Sequence, residues 1–188
     1  IQAWNYMFRQ FKGGPDWIVE RNLAERALKS WQENIRKEYA AYLTDLERTE
    51  PPPPAPPMRP IIKEMYNNSG GAFSGFGRHL VNDFLFNAAI HPGTPAISIC
   101  EDDETFAELL EGIPEYLERF TVPQFYKPMA SSCVPGRDNP FEFNEDSNRH
   151  YMQHYIDVFR RCSVQVPKEL YEKYLKKGLL DSRHTIGE

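Results

Sequence analysis

Two histidines four residues apart are the residues of this chain best suited to chemistry. His150 and His154 lie in residues 144–162, where apolar side chains recur at helical spacing, so both imidazoles fall on one face of a predicted helix. This spacing can hold one metal ion, with Asp146 or Asp157 near enough to bind it or to orient an imidazole. A small metal-dependent enzyme that uses this helical His pair is therefore one hypothesis for the function.

The same segment lacks two features of a working metal site. The residues between the histidines are Tyr-Met-Gln, without the glutamate that acts as the base in two-histidine metalloproteases. A third protein ligand would have to come from elsewhere in the chain, for example from His79 or His91. We therefore expect paired surface histidines, and we assign no metal ion and no cofactor to the chain.

The other reactive side chains match no catalytic signature. Ser131 and Ser132 lack the flanking glycines of a nucleophile elbow, and Cys133 has no local signature of a cysteine hydrolase. The glycine-rich stretch 70–79 lacks the Lys-Ser/Thr ending of a phosphate-binding loop, and we interpret it as a close-packing turn. We expect no catalytic residue and a protein that is not an enzyme.

A proline run divides the elements that would position these residues. Pro51–Pro60 holds seven prolines in ten positions, which neither a helix interior nor a central strand tolerates. In the extended polyproline II form this run would span about 30 Å. The sequence therefore predicts an N-terminal segment and helical arm at 1–50, a polyproline spacer at 51–60 and a helical body at 61–188.

The arm is predicted as one amphipathic helix of about thirty residues that begins at Asp16, because no proline or glycine follows before Pro51. Its apolar residues recur every three or four positions without a strict heptad, which favours a partner surface or the protein's own body over a coiled coil. This apolar stripe comprises Ala24, Leu28, Trp31, Ile35, Tyr39, Tyr42 and Leu46. The predicted partner contacts within it are Trp31, Ile35, Tyr39 and Tyr42.

The spacer contains a second candidate binding motif. Its prolines are followed by Arg59, a pattern that aromatic-lined SH3 grooves bind. The predicted contacts are Pro54, Pro57 and Arg59. A proline-motif adaptor is therefore a further hypothesis, although any proline run near an arginine would satisfy the pattern.

The body is predicted to be a small, irregular set of about five helices with long loops, so the whole chain is mainly α. Residues 106–120 form an apolar helical series that is interrupted at Gly112 and restarted by Pro114. Ala96–Ile99 is expected to be extended, and Thr121–Asn144, with four prolines, is expected to be a loop. A solvated glutamate ridge, with docking of a basic partner as the alternative, comprises Glu104, Glu108, Glu111, Glu115 and Glu118.

Charge and hydropathy restrict the partners. The net charge is −5, and residues 101–118 hold eight carboxylates and no lysine or arginine, which disfavours contact with phosphate backbones. No stretch approaches the roughly 18 consecutive apolar residues of a membrane span, so any membrane contact would be peripheral, through a complex. We expect other protein subunits as partners and no direct binding of nucleic acid.

The leading hypothesis is a non-catalytic accessory or structural subunit of a large multiprotein assembly. Residues 1–15 are aromatic and basic and contain no acid, as in organelle presequences, and the start at Ile1 fits either a processed or a truncated chain. We therefore expect a mitochondrial energy-converting complex, respiratory or ATP synthase, with the cytoplasm as the alternative location.

Overall fold

A computed structural model describes residues 13–48, 58–133 and 144–180. Over these ranges the chain forms eight α-helices, a short 3₁₀ turn at Ser69–Gly71 and no β-strand, which confirms the predicted mainly-α class. None of the described helices is long and apolar enough to cross a membrane. Most of the predicted spacer, with Pro54 and Pro57, lies outside the described residues. The helices are α1 (Arg21–Arg48), α2 (Ile61–Tyr66), α3 (Arg78–Ala88), α4 (Ala96–Glu101), α5 (Asp103–Glu118), α6 (Pro123–Cys133), α7 (Glu145–His154) and α8 (Lys168–Lys176).

The long helix α1 begins at Arg21, later than the sequence predicts. Asp16 does cap backbone amides, since its Oδ1 accepts two N–H groups of the following residues at 2.7 and 2.9 Å. These bonds close a separate turn, because Trp17 is anchored there by its indole N–H, which donates to the carbonyl of Ala72 at 3.1 Å. The helix then runs to Arg48 without proline or glycine.

The N-terminal half of α1 belongs to the core of the body. It packs against α4 and the 3₁₀ turn, and the Trp31 ring meets Phe73 edge-on with centroids 5.0 Å apart. Trp31 and Ile35, two of the predicted partner contacts, are 3% and 7% exposed. The structure corrects the prediction for these two residues, because the chain's own body covers them and leaves no surface for a partner. Nor does the proline run hold this half of the arm away from the body.

An aromatic cluster joins α3 and α5 inside the core. The rings of Phe76, Phe84 and Tyr116 form a triangle, in which the Phe84 centroid lies 5.3 Å from Phe76 and 5.5 Å from Tyr116, and the latter two lie 6.4 Å apart. Gly112 of α5 faces the same Phe84 ring, which a Cβ on this glycine would approach to 3.6 Å. Each of these buried aromatic side chains contributes about 2 kcal/mol of hydrophobic stabilisation.

Prolines interrupt fewer helices than the sequence predicts. α5 is continuous through Pro114, and residues 123–133 of the predicted loop form α6 with Pro128 inside it. Residues Ala96–Glu101 form α4 rather than an extended piece. A proline inside a helix removes one backbone hydrogen bond, and in α5 the burial of Ile113, Pro114 and Tyr116 offsets that loss.

The segment before α1 passes very close to the glycine-rich turn. An ideal Cβ on Gly14 would lie 1.8 Å from the carbonyl oxygen of Gly71, so only glycine allows the two backbones to approach this far. Gly70 and Gly71 have φ values of 65° and 73°, which glycine adopts without strain. This part of the stretch is therefore a close-packing turn.

We expect Gly14→Ala to destabilise the protein by about 2–3 kcal/mol, because the added Cβ overlaps a backbone carbonyl that can move only with its turn. Gly13→Ala is the matched control, since a Cβ at Gly13 meets nothing within 4 Å. Urea unfolding followed by tryptophan fluorescence measures the difference. Equal stabilities of the two variants would contradict the close approach of the backbones.

Candidate functional site

A buried carboxylate on α2, that of Glu64, connects α1 to the end of the proline run. Glu64 is 3% exposed, and its Oε2 accepts the indole N–H of Trp31 at 2.9 Å. Its Oε1 lies 2.6 Å from Nε of Arg59, which also donates from Nη2 to Glu38 of α1 at 2.7 Å. Burial by itself lowers the pKa of Arg59, but the two carboxylates raise it above its usual value. The guanidinium of Arg59, a predicted SH3 contact, is thus paired within the chain.

We expect Arg59→Ala to cost about 2 kcal/mol of folding free energy, because it leaves the buried carboxylate of Glu64 without its counter-ion. In a Glu64→Gln background the same substitution should cost only about 0.5 kcal/mol, since a neutral amide needs no counter-ion. Chemical denaturation of the four proteins in this double-mutant cycle measures the coupling. Equal costs in both backgrounds would contradict the ion pair.

Beyond Ile35, Tyr39 still packs partly against the core, and the apolar stripe of α1 then continues past it. Tyr39 and Tyr42 are half-buried and stack with ring centroids 6.5 Å apart. Leu43 and Leu46 are 43% and 41% exposed. We call Tyr39, Tyr42, Leu43 and Leu46 the exposed α1 face. It retains two of the four predicted partner contacts of the arm at the protein surface.

The two histidines of α7 lie on one helix face, as predicted, but they stack on each other. Their ring centroids are 4.1 Å apart, with 26° between the ring planes. The lone pairs of imidazole nitrogens lie in the ring planes, so stacked rings direct them side by side rather than toward one ion. In addition, Nδ1 of His154 lies 2.9 Å from the carbonyl oxygen of His150 and donates to it.

The residues that could complete a metal site lie elsewhere. His79 packs against Tyr151 and Phe159, with ring centroids 6.4 and 6.3 Å away. The Nδ1 atom of His91 accepts the backbone N–H of Gly93 at 3.1 Å within its own turn. Within the described ranges, no group of three or more His, Cys, Asp or Glu side chains is placed to hold a metal ion. As arranged here, the His pair is not a chelating site.

A second buried carboxylate, Asp83 of α3, holds the turn that follows α7. Asp83 is 1% exposed and accepts three backbone N–H groups at 2.9 to 3.1 Å. The donors are Asp157, Val158 and Phe159. Nothing in the sequence indicates this clamp, because the donors follow Asp83 by 74 to 76 residues.

The clamp also explains why α7 is shorter than predicted. The sequence predicts a helix to Cys162, whereas α7 ends at His154. The backbone amides that would continue the helix donate to Asp83 instead. The Asp157 carboxylate accepts Nδ2 of Asn87 at 2.8 Å and lies 3.5 Å from Nη1 of Arg119, so it orients the turn and is not available to the His pair.

We expect Asp83→Ala to cost about 2–3 kcal/mol, because buried backbone N–H groups lose their acceptor. Hydrogen exchange should accelerate at residues 157–159 and through α7 and α8 more than in α5. Asn82→Ala is the matched control, since the Asn82 side chain is partly exposed and donates to a carbonyl of its own helix. Exchange that is unchanged at 157–159 in Asp83→Ala would contradict the clamp.

The three cysteines are free thiols in very different surroundings. Cys100 and Cys133 are buried, whereas Cys162 is exposed. Burial raises the pKa of Cys100 to about 12, although the nearby Arg36 partly opposes this shift. Since the thiolate is the nucleophile, Cys100 is not activated for covalent chemistry at neutral pH.

At pH 8 we expect iodoacetamide to modify Cys162 of the folded protein at least about 100-fold faster than Cys100, which is both buried and protonated well below its raised pKa. Mass spectrometry of a time course measures the two rates. Denatured protein is the control, in which the rates should converge. Equal rates in the folded protein would contradict the burial of Cys100.

Two clefts border the glutamate ridge of α5. One, of about 560 Å³, lies between α3, α5 and α8 and contains Glu111 and Glu115. The other, of about 450 Å³, lies between the end of α3, α5 and α8 and contains Glu104. Glu108 lines both clefts, and it is half-buried whereas the rest of the ridge is exposed. The larger cleft is lined by no serine, threonine, cysteine or histidine, and its ionisable side chains are glutamates, Tyr116, Arg119 and Lys173.

Comparison of the chain with protein-family models, curated proteins and solved structures finds no match. Of the predicted contacts of the arm, Tyr39 and Tyr42 on the exposed α1 face remain partly accessible.

Proposed function

We propose that the protein is a non-catalytic accessory subunit of a multiprotein assembly, to which it binds through the exposed α1 face. The observation that supports this proposal is that the apolar stripe of α1 is buried in its first half and partly exposed in its second. Up to Ile35 the body of the chain covers the stripe, and Tyr39 packs against it in part. Farther along, Leu46 of the stripe and the neighbouring Leu43 are open to solvent.

The length of the projecting helix supports a partner. Residues 36–48 extend α1 by about 20 Å, at about 1.5 Å per residue, past its last fully buried side chain. Most of the stability of protein helices comes from packing of an apolar face rather than from intrinsic propensity. A second protein laid on the exposed α1 face would supply that packing and would bury two tyrosines, a residue type enriched at interfaces.

The two alternatives from the sequence have weaker support. The metal-enzyme hypothesis needs converging ligands, whereas the imidazoles of His150 and His154 stack. The adaptor hypothesis needs the guanidinium of Arg59 for an acidic partner, whereas it pairs with Glu38 and Glu64. A mitochondrial energy-converting complex stays a prediction that depends on the composition of residues 1–15 alone.

The experiment places a photo-crosslinking amino acid at Leu43 of the full chain in its native cells. Ala41 is the matched control position, because it is exposed and lies about 200° around the helix from Tyr39. We expect crosslinks from position 43 to one or a few defined proteins in near-stoichiometric yield and few from position 41. Equal yields at both positions, or crosslinks only to a second copy of this chain, would contradict the proposal.

Substitution of the same face should weaken assembly without unfolding the protein. We expect the double variant Tyr42→Ala, Leu46→Ala to reduce recovery of the complex by roughly 10-fold or more, because each truncation removes about 1–2 kcal/mol of interface energy. Its melting temperature in isolation should stay close to that of the original protein, since both side chains are at least partly exposed. A large fall in melting temperature with unchanged recovery would assign the face to folding instead.

A further inference from the structure

The last described helix, α8, lies on the body without burying any of its own residues. Two kinds of contact hold it. Glu108 of α5 contacts Nζ of Lys177 at 2.5 Å and Nζ of Lys173 at 3.9 Å. The hydroxyl of Tyr174 donates to the carbonyl of Phe86 at 2.9 Å, and the two rings lie 6.0 Å apart.

The surface around α8 is incompletely filled. The clefts of about 560 and 450 Å³ both have Lys173 as a lining residue. A third cavity, of about 220 Å³, is bounded by Tyr174 on one side and by apolar residues of the body on the other. Those apolar residues are Phe86, Ile90, Pro92 and Val158. α8 therefore crosses a groove that it occupies without filling.

The connection to α8 provides a pivot. The Asp83 clamp fixes residues 157–159, and Arg160 directly after it has a φ of 59°, which is unusual for a residue other than glycine. Residues 161–167 form no helix and contain no buried residue. The contacts that hold α8 are therefore separate from those of the clamp and of the core.

We propose that α8 is an autoinhibitory strap, which occupies a groove that accepts a basic, aromatic helix of a partner subunit once α8 has left. The proposal rests on the proposed role as a subunit, but it concerns a second surface, remote in sequence from the exposed α1 face. α8 itself indicates the chemistry of the partner: lysines for Glu108 and a tyrosine for the apolar cavity.

Charge complementarity favours this occupant. Glu104, Glu108 and Glu111 line the clefts on the α5 side. Arg119, directly after α5, also lines the larger cleft, but it pairs with Asp157. Within the described part of the chain, the cations set against Glu108 are Lys173 of α8 and Lys177 directly after it. Partly exposed ion pairs are weak and are screened by salt, so α8 is a replaceable occupant.

The test uses the full chain and a fluorescent peptide with the sequence of residues 165–180. Lys173→Gln with Lys177→Gln removes the ion pairs of α8 and keeps Glu108 in the groove. We expect hydrogen exchange in residues 168–177 to accelerate at least about 10-fold in this variant, with exchange in α3 and α5 unchanged. We also expect the peptide to bind this variant at least about 10-fold more tightly than it binds the original chain. Lys168→Gln, at a lysine with 87% of its side chain exposed, is the matched control.

Adding Glu108→Gln to the double variant should abolish the gain in peptide binding while α8 stays released. Protection of α8 equal to that of α5, unaffected by the double substitution, would overturn the proposal. Release of α8 without tighter peptide binding would overturn it as well. Neither result depends on the exposed α1 face, so crosslinking at Leu43 can fail or succeed independently.

Discussion

The buried carboxylate of Glu64 decides how α1 lies on the rest of the protein. A charge removed from water is tolerated only where donors surround it. Trp31 of α1 and Arg59 provide those donors from two directions, so the pair is complete only when α1, α2 and the end of the proline run meet at this point. Gln32 and Arg36 extend the attachment by donating to the carbonyl of Cys100 at the end of α4, at 3.0 and 2.6 Å.

This attachment reaches mainly the first half of α1. Apolar side chains repeat along α1 with the same period before and after Ile35, but the body buries them fully only up to Ile35 and covers Tyr39 in part. The directional contacts of α1 with the body end at Arg36 and Glu38, and the exposed α1 face lies beyond. One periodic pattern thus packs into the core in its first half and is partly open to solvent in its second.

The sequence predicted features that lie within a single helix, but it did not predict contacts between residues that are distant in the chain. The 3.6-residue period identified α1, its buried stripe and the common face of His150 and His154. It could not identify the pairing of Trp31 with Glu64, 33 residues apart, which brings the arm onto the body. Proline rules failed at Pro114 and Pro128. The rules describe the backbone of an isolated helix, whereas Pro114 is buried against the body; Pro128 is exposed, and nothing in the structure explains why its helix continues.

The candidate sites show the same contrast between features within one helix and contacts between distant residues. Helical spacing placed the two imidazoles together, but only the structure shows that their rings stack, and the Asp83 clamp had no local signal at all. The core is fixed by buried carboxylates that accept several directional hydrogen bonds. α8, in contrast, has no buried residue and is held by one hydroxyl and by ion pairs to Glu108 that solvent can reach. Elements of low local stability are the ones that open first. The periphery of this fold therefore depends on weaker contacts than its core, which the Glu64 and Asp83 carboxylates hold together.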